Sequence, residues 1–278
     1  EAAELTRAIG YTAAHVVLIG GLVPSLLVPV LAPGVEPHVG TADLDLCLSV
    51  ALVEGDTETS ERMEAVLKKL GYTEGDATFR WRRPTGLKLT VELFCPAGVD
   101  RPPGQAFRPR AADNPTGKHN LGGRLSALAL EAGALLTTDV ETVTQRVALP
   151  GGKGEFDATL RVTGPVAFLV AKVNALRGRD KNKDAYDIVW LIESWPGGPS
   201  AAAAAFAARP AYIQPDVATA RAQLAELFAT LGSLGARSYA RFLAATPAEE
   251  APLELRAVGA IAEFLSALPI LKEQYSRI

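Results

Sequence analysis

The stretch His38-Val39-Gly40-Thr41-Ala42-Asp43-Leu44-Asp45-Leu46-Cys47-Leu48 decides how the rest of the chain is read. Leu44, Leu46 and Leu48 alternate with Asp43, Asp45 and Cys47. As a β-strand the segment therefore buries its leucines and sets both carboxylates on the opposite face. Carboxylates two residues apart on a strand are about 7 Å apart, close enough to hold a divalent metal between them.

Upstream, the β-branched run His15-Val16-Val17-Leu18 leads into Ile19-Gly20-Gly21-Leu22-Val23-Pro24-Ser25, which reads as strand, glycine turn and helix. Glycines at such a turn let backbone amides approach a ligand, and a helix start favours phosphate. A Gly-Gly turn followed by Asp-x-Asp on a strand resembles the polymerase-β-like nucleotidyltransferase superfamily. Thr41, just ahead of the acids, is either an ordinary strand-entry residue or one whose hydroxyl or amide faces nucleotide phosphates.

The bulk composition sets the frame. With 278 residues and 48% hydrophobic content, the chain has material for one large or two modest globular domains. A formal charge of -3 gives no overall basic footprint, so extended nucleic-acid binding is not implied. The two cysteines, Cys47 and Cys95, have neither metal-ligand spacing nor a disulfide framework, which suits a reducing cytoplasm. Val16 to Ala32, about 17 residues without a charge, approaches the length of a membrane span. Gly20, Gly21, Pro24 and Pro29 interrupt it and no basic segment precedes it, so a buried strand and helix are expected and no membrane partner. The chain opens at Glu1 rather than Met, as expected of a sequence lacking a few native residues.

The elements follow in order. Leu5, Ile9 and Ala13 predict a short amphipathic helix over 3–13, and a helix from Leu22 is expected to end at Pro29. Residues 57–70 predict a helix with Thr57 or Thr59 as N-cap, Met63, Val66, Leu67 and Leu70 inside, and Gly71 as its stop. Strands are expected over 78–82 and 87–94, joined by a turn at 83–86. Glu92, on the face opposite Leu89, Val91 and Leu93, is either a third metal-holding carboxylate or a surface acid paired with Lys88 or with a neighbouring strand.

Residues 95–120 are rich in Pro, Gly and positive charge (Arg101, Arg108, Arg110, Lys118, His119). Such a loop either grips RNA or a triphosphate, or is merely solvated. Strands are expected over 125–130, 142–149 and 158–162. Gly151-Gly152-Lys153-Gly154 lacks the ending of a phosphate-binding P-loop and reads as a hairpin turn. From Gly164 the pattern turns helical, with helices expected over 165–177, 183–194, 216–231, 235–245 and 254–275, and Ala-rich 200–208 as either a helix or a linker.

The first helix pair carries the remaining chemistry. Lys172 stands on an otherwise apolar face with Phe168, Leu169 and Leu176, and Asp184 and Asp187 lie one turn apart on the next helix. Lys172 with either aspartate would also make a plain helix-to-helix ion pair. This segment, together with Gly20-Gly21 and Asp43-Leu44-Asp45, resembles the AbiEii family of nucleotidyltransferase toxins, the toxic half of type IV toxin–antitoxin systems, which includes the mycobacterial MenT proteins. The family's Lys, its following Arg and its Asp-x-x-Asp match Lys172, Arg177 or Arg179, and Asp184-Ala185-Tyr186-Asp187. The resemblance covers roughly residues 15–195. It departs after the glycines, where Leu-Val-Pro intervenes and Ser25 is the first small polar residue.

The resemblance implies an α/β (α+β) protein: a mixed-sheet polymerase-β-like nucleotidyltransferase lobe over 1–163 and a C-terminal helical bundle over 164–278, with the cleft between them. It implies Mg²⁺ or Mn²⁺ on Asp43 and Asp45, with Glu92 as a third candidate, and an NTP bound by Gly20, Gly21, Ser25, Thr41 and Asp184. Lys172 and Asp187 complete the implied catalytic set. The implied reaction is transfer of a nucleoside monophosphate to a tRNA 3′ end or a protein, blocking growth, with a cognate antitoxin as partner. Asp43→Ala and Lys172→Ala are expected to abolish transfer and leave the fold intact. Three other readings remain, one of them a non-catalytic binding protein that keeps the fold; the other two use some of the same residues. Small-molecule nucleotidyltransferases that modify antibiotics share the first lobe, and haloacid-dehalogenase-type phosphohydrolases share Asp-x-Asp.

Overall fold

The computed structural model describes residues 2–41, 43–49, 57–85, 88–108, 125–148, 154–179 and 181–270. Outside them, or outside the described side chains, lie the expected caps Thr57 and Thr59, Leu87, Arg110, Lys118, His119, the glycines of the 151–153 turn and the tail from 271. The chain is mixed α/β and divides into two compact units. Unit 1 comprises residues 1–27 and 39–164, and unit 2 comprises 28–38 and 165–278. The strap 28–38, between the glycine turn and the acidic strand in sequence, thus groups with the later helices rather than with the sheet.

Unit 1 is built on one mixed sheet. Its strands are β1 (Val16–Ile19), β2 (Asp43–Leu48), β3 (Thr73–Glu74), β4 (Arg80–Arg82), β5 (Thr90–Pro96), β6 (Ala106–Phe107), β7 (Ala127–Leu130), β8 (Val140–Ala148) and β9 (Glu155–Thr163). The main path runs β3-β4-β5-β2-β1-β9-β8, with β7 beside β5 and β6 beside β7. β2 is antiparallel to β1 and parallel to β5. β8 and β9 pair along their whole lengths from Val140↔Thr163 to Ala148↔Glu155, as the hairpin reading required.

Alternation in β2 works as its sequence demands at the acidic end. Leu44, Leu46 and Leu48 are buried while Asp43 and Asp45 are half-buried. Register partners share a face of a sheet. Leu44 with Val91 and Trp81, and Leu46 with Leu18 and Leu93, therefore form one apolar side. Asp45 shares the other side with Ile19, Glu92 and Arg80. Cys47 alternates with the acids but is fully buried, so that side turns apolar within one further pair.

The helices of unit 1 are α1 (Ala2–Ile9), α2 (Val23–Leu27), α3 (Thr57–Lys69) and α4 (Gly133–Thr138). α1 is shorter than expected because a 3-10 turn over Gly10–His15 takes its place before β1. In α3, Met63 and Leu67 are wholly buried and Val66 partly so, as is Leu70 just past its end. The helix α4 is absent from the sequence reading. Its apolar core, Ala134-Leu135-Leu136, is too short for periodicity to separate it from a strand.

Unit 2 holds α5 (Pro165–Gly178), α6 (Lys183–Ser194), α7 (Gly198–Ala207), α8 (Pro215–Leu227), α9 (Leu234–Leu243) and α10 (Glu250–Ala267). α6 packs against α5, α7, α9 and α10, and α5 also packs against α8. α5 is buried nearly all round, from Pro165 through Val170 and again at Lys172, Val173 and Leu176. Such a helix is a core element rather than a surface one. The Phe206 and Phe264 rings meet edge to face at 5.2 Å where α7 meets α10. No helix among the described residues is long and apolar enough to cross a membrane.

Candidate functional site

Two clusters of candidate residues form, one in each unit. In unit 1 the glycine turn and the acidic strand meet. Gly20 ends β1 with φ +77°, a left-handed conformation that L side chains rarely adopt. A Cβ added there would overlap Asp45 Oδ2 and lie 2.8 Å from the Asp45 Cβ. The Asp45 side chain therefore occupies the space that a missing side chain leaves open. Two halves of the sequence pattern, over twenty residues apart in the chain, meet at one corner of the sheet.

Around that corner the remaining candidates take distinct positions. Asp43 lies on the same side of β2 as Asp45, and its backbone N–H donates to Thr41 Oγ1 at 3.2 Å. The Thr41 hydroxyl thus fastens the entry to β2. Gly21 is buried in the turn, and α2 starts two residues later. Ser25 is exposed, and its hydroxyl donates back to the Leu22 carbonyl at 2.9 Å, in the 3-10 turn that precedes its helix. Glu92 stands in register with Asp45 on β5. Its Oε1 accepts from Arg80 Nε at 2.6 Å and lies 2.5 Å from Arg80 Nη2. Arg80 also reaches Asp76 at 2.8 Å, so Glu92 is one end of an ion-pair chain on the neighbouring strand.

The donor chemistry of this corner fits magnesium better than a softer ion. Among the described residues, no three His, Cys, Asp or Glu side chains converge as a closed cage. Magnesium is commonly held by one or two carboxylates plus substrate phosphates and waters, whereas zinc sites draw on His and Cys. Asp43 and Asp45 supply the two hard oxygen donors. Cys47, next on that side, is deeply buried, and burial with the neighbouring Cys95 pushes its thiol well above the ordinary range. It is no thiolate ligand.

In unit 2 the cluster is a buried ion network across α5 and α6. Lys172 Nζ donates to Asp184 Oδ1 at 2.8 Å and lies 2.6 Å from Asp187 Oδ2. Asp184 also accepts from Arg179 Nε at 2.8 Å and Nη2 at 2.9 Å. Asp187 Oδ1 meets Lys183 Nζ at 2.6 Å and His38 Nε2 at 3.0 Å. Burial alone would raise the Asp187 carboxyl. The hydrogen bond from His38 and the charges of Lys172 and Lys183 outweigh it and hold the group at about 2. Asp184 is likewise held low against its burial by Arg179 and Lys172. Burial works against the Lys172 charge, yet Asp187 and Asp184 keep its ammonium above the ordinary lysine range. For Lys183 burial wins and its ammonium falls below that range.

His38 is the component that sequence reasoning missed. Its ring lies 5.0 Å from Tyr186 and 4.9 Å from Trp190, and Trp190 Nε1 donates to the Glu36 carbonyl at 3.1 Å. A single histidine in a proline-containing loop gives no periodic signal. Lys183 could have been found, because it lies four residues before Asp187 on one helix. Of the two arginine candidates, Arg179 is the one that joins the cluster. Arg101, grouped by sequence with the basic loop charges, is instead buried, with Nε donating to the Pro96 carbonyl at 3.1 Å and its guanidinium over the Phe107 ring.

No protein-family model matches the chain, and neither a curated protein nor a solved structure matches it.

Proposed function

We propose that the chain is a metal-dependent nucleotidyltransferase that moves a nucleoside monophosphate from an NTP to a hydroxyl of a cellular acceptor. The observation that carries this reading is the seating of Asp45 over Gly20, which joins a phosphate-approachable glycine turn to a pair of acids on one sheet corner. In this reaction the acceptor oxygen attacks the α-phosphorus, the bond to the β-phosphate oxygen breaks, and pyrophosphate leaves with its electron pair. Phosphoryl transfer asks little covalent participation of a protein; it asks for alignment and for neutralisation of developing charge. Asp43 and Asp45 would hold Mg²⁺ or Mn²⁺. Bound there, the metal lowers the pKa of the attacking hydroxyl and offsets phosphate charge. The backbone of Gly20 and Gly21 would receive phosphate oxygens. Glu92 already carries Arg80, so the metal rests on the two aspartates in this proposal.

The finer reading follows the AbiEii resemblance. Unit 1 would be the polymerase-β-like lobe and unit 2 the helical one; the resemblance would give Lys172 the part of offsetting triphosphate charge, with Asp187 orienting it. The 2.6 Å approach of Asp187 Oδ2 to Lys172 Nζ is compatible with that orienting part. Transfer to a tRNA 3′ end would arrest growth in the cytoplasm, and a cognate antitoxin would restrain it.

One observation weighs against the phosphohydrolase alternative. Open parallel α/β sheets bind ligands outside the carboxyl ends of their strands. Asp43 and Asp45 instead occupy the amino end of β2, which runs antiparallel to β1. Incubating the protein and Mg²⁺ with each α-labelled NTP, against tRNA, total protein and an aminoglycoside in parallel, separates the classes. Label in tRNA or protein supports the proposal, label on the aminoglycoside supports the antibiotic-modifying alternative, and phosphate release without incorporation supports a hydrolase.

A further inference from the structure

Behind the acidic corner, unit 1 contains a cavity of about 200 Å³ that the proposed reaction does not use. Its walls come from α1 (Leu5, Ile9), β1 (Leu18), β2 (Leu46) and β9 (Leu160). All five side chains are buried, none more than 6% exposed. The cavity is partly open, its lining completed by exposed Ala14 and Thr159 and by half-buried Thr6, Ala13 and Arg161. A cavity of roughly 150 Å³ lined by aliphatic and aromatic groups is large enough for benzene. The Arg161 guanidinium donates through Nη1 to the Ala14 carbonyl, tying β9 to the 3-10 turn at the rim.

We infer that this cavity is a binding site for one uncharged apolar molecule of single-ring size, seated between α1 and the leucine side of the sheet. Five converging aliphatic side chains supply dispersion contacts, while the polar members of the lining, Thr6, Thr159 and Arg161, are half-buried or exposed. The volume excludes drug-sized ligands, whose pockets are usually larger. Leu18 and Leu46 are register partners, and the next pair along the two strands is Ile19↔Asp45. The guest would therefore touch the strands one residue before the acidic corner, on the opposite side of the sheet.

The test titrates the full chain with benzene, following melting temperature and NOEs from benzene to leucine and isoleucine methyls. Wild type is expected to bind saturably, with melting raised by roughly 3 °C at ten times Kd, and with NOEs to the methyls of Ile9, Leu18 and Leu46. Ala13→Leu and Leu160→Phe, each filling the void from a different wall, are expected to weaken binding at least about tenfold while leaving circular dichroism unchanged. If neither variant folds, the wild-type NOEs decide the matter. No saturable shift, NOEs to other methyls, or undiminished binding in folded variants would overturn the inference. None of these readouts requires nucleotide transfer, so the outcome is independent of the proposed activity.

Discussion

The Asp45 carboxylate fills the place where a side chain on Gly20 would stand. This relationship makes Gly20 irreplaceable for two reasons: a backbone at φ +77° and a filled Cβ position. Gly20→Ala is expected to cost about 1–3 kcal/mol of stability and to displace Asp45. Urea denaturation measures the first effect. Loss of magnesium-dependent activity beyond what instability explains reports the second.

Lys172 is buried between two carboxylates, so its loss reaches further than the sequence suggested. With both aspartates ionised and buried, removing their shared counter-charge is expected to cost about 3–5 kcal/mol. Lys172→Met keeps the volume and isolates the charge effect. Denaturant midpoints for Lys172→Met and for Lys172→Met with Asp187→Asn check this, the double variant being the more stable of the two.

Asp187 makes stability depend on acid. Its carboxyl is at about 2 in the folded protein against 3.8 unfolded, so the unfolded chain binds the proton more readily. The resulting stabilisation is fully present above about pH 4 and is lost as pH falls toward 2. Its size is roughly 2 kcal/mol from the linkage relation. Melting curves between pH 2 and 5 should show the slope in wild type and a shallower one in Asp187→Asn.

Glu92 and Arg80 test how many acids the chemistry needs. The pair is partly exposed, and Glu92→Gln is expected to lower stability by no more than about 1 kcal/mol. Transfer activity is expected to stay within a few-fold of wild type, whereas Asp43→Asn and Asp45→Asn lose it. Initial rates against magnesium concentration distinguish a lost ligand from a lost ion pair.

The elements with strong periodicity were legible in the sequence. The alternation of leucine and acid in β2, the apolar face of α3 and the helix pair carrying Lys172 and Asp187 depend on local pattern, and they fold as that pattern dictates. The partners of these residues were less legible. Glu92 pairs with Arg80 on the adjacent strand, one of the partners the sequence left open, so spacing alone did not choose between that and a metal; Arg101 is drawn from its expected loop surface by the Pro96 carbonyl and the Phe107 ring. His38 joins Asp187 across nearly 150 positions of chain. The helix α4 was missed because three apolar residues cannot show a period.

The most direct measurement of the proposed activity is incorporation of label from α-labelled NTPs into purified tRNA, run with wild type, Asp43→Asn and Asp45→Asn under Mg²⁺ or Mn²⁺. Wild type is predicted to label tRNA, or total protein run in parallel, with at least one NTP, and both variants, folded by circular dichroism, are predicted not to. Silence of the wild type toward both acceptors with all four NTPs and both metals, or full labelling by a folded Asp45→Asn variant, would contradict the proposed activity.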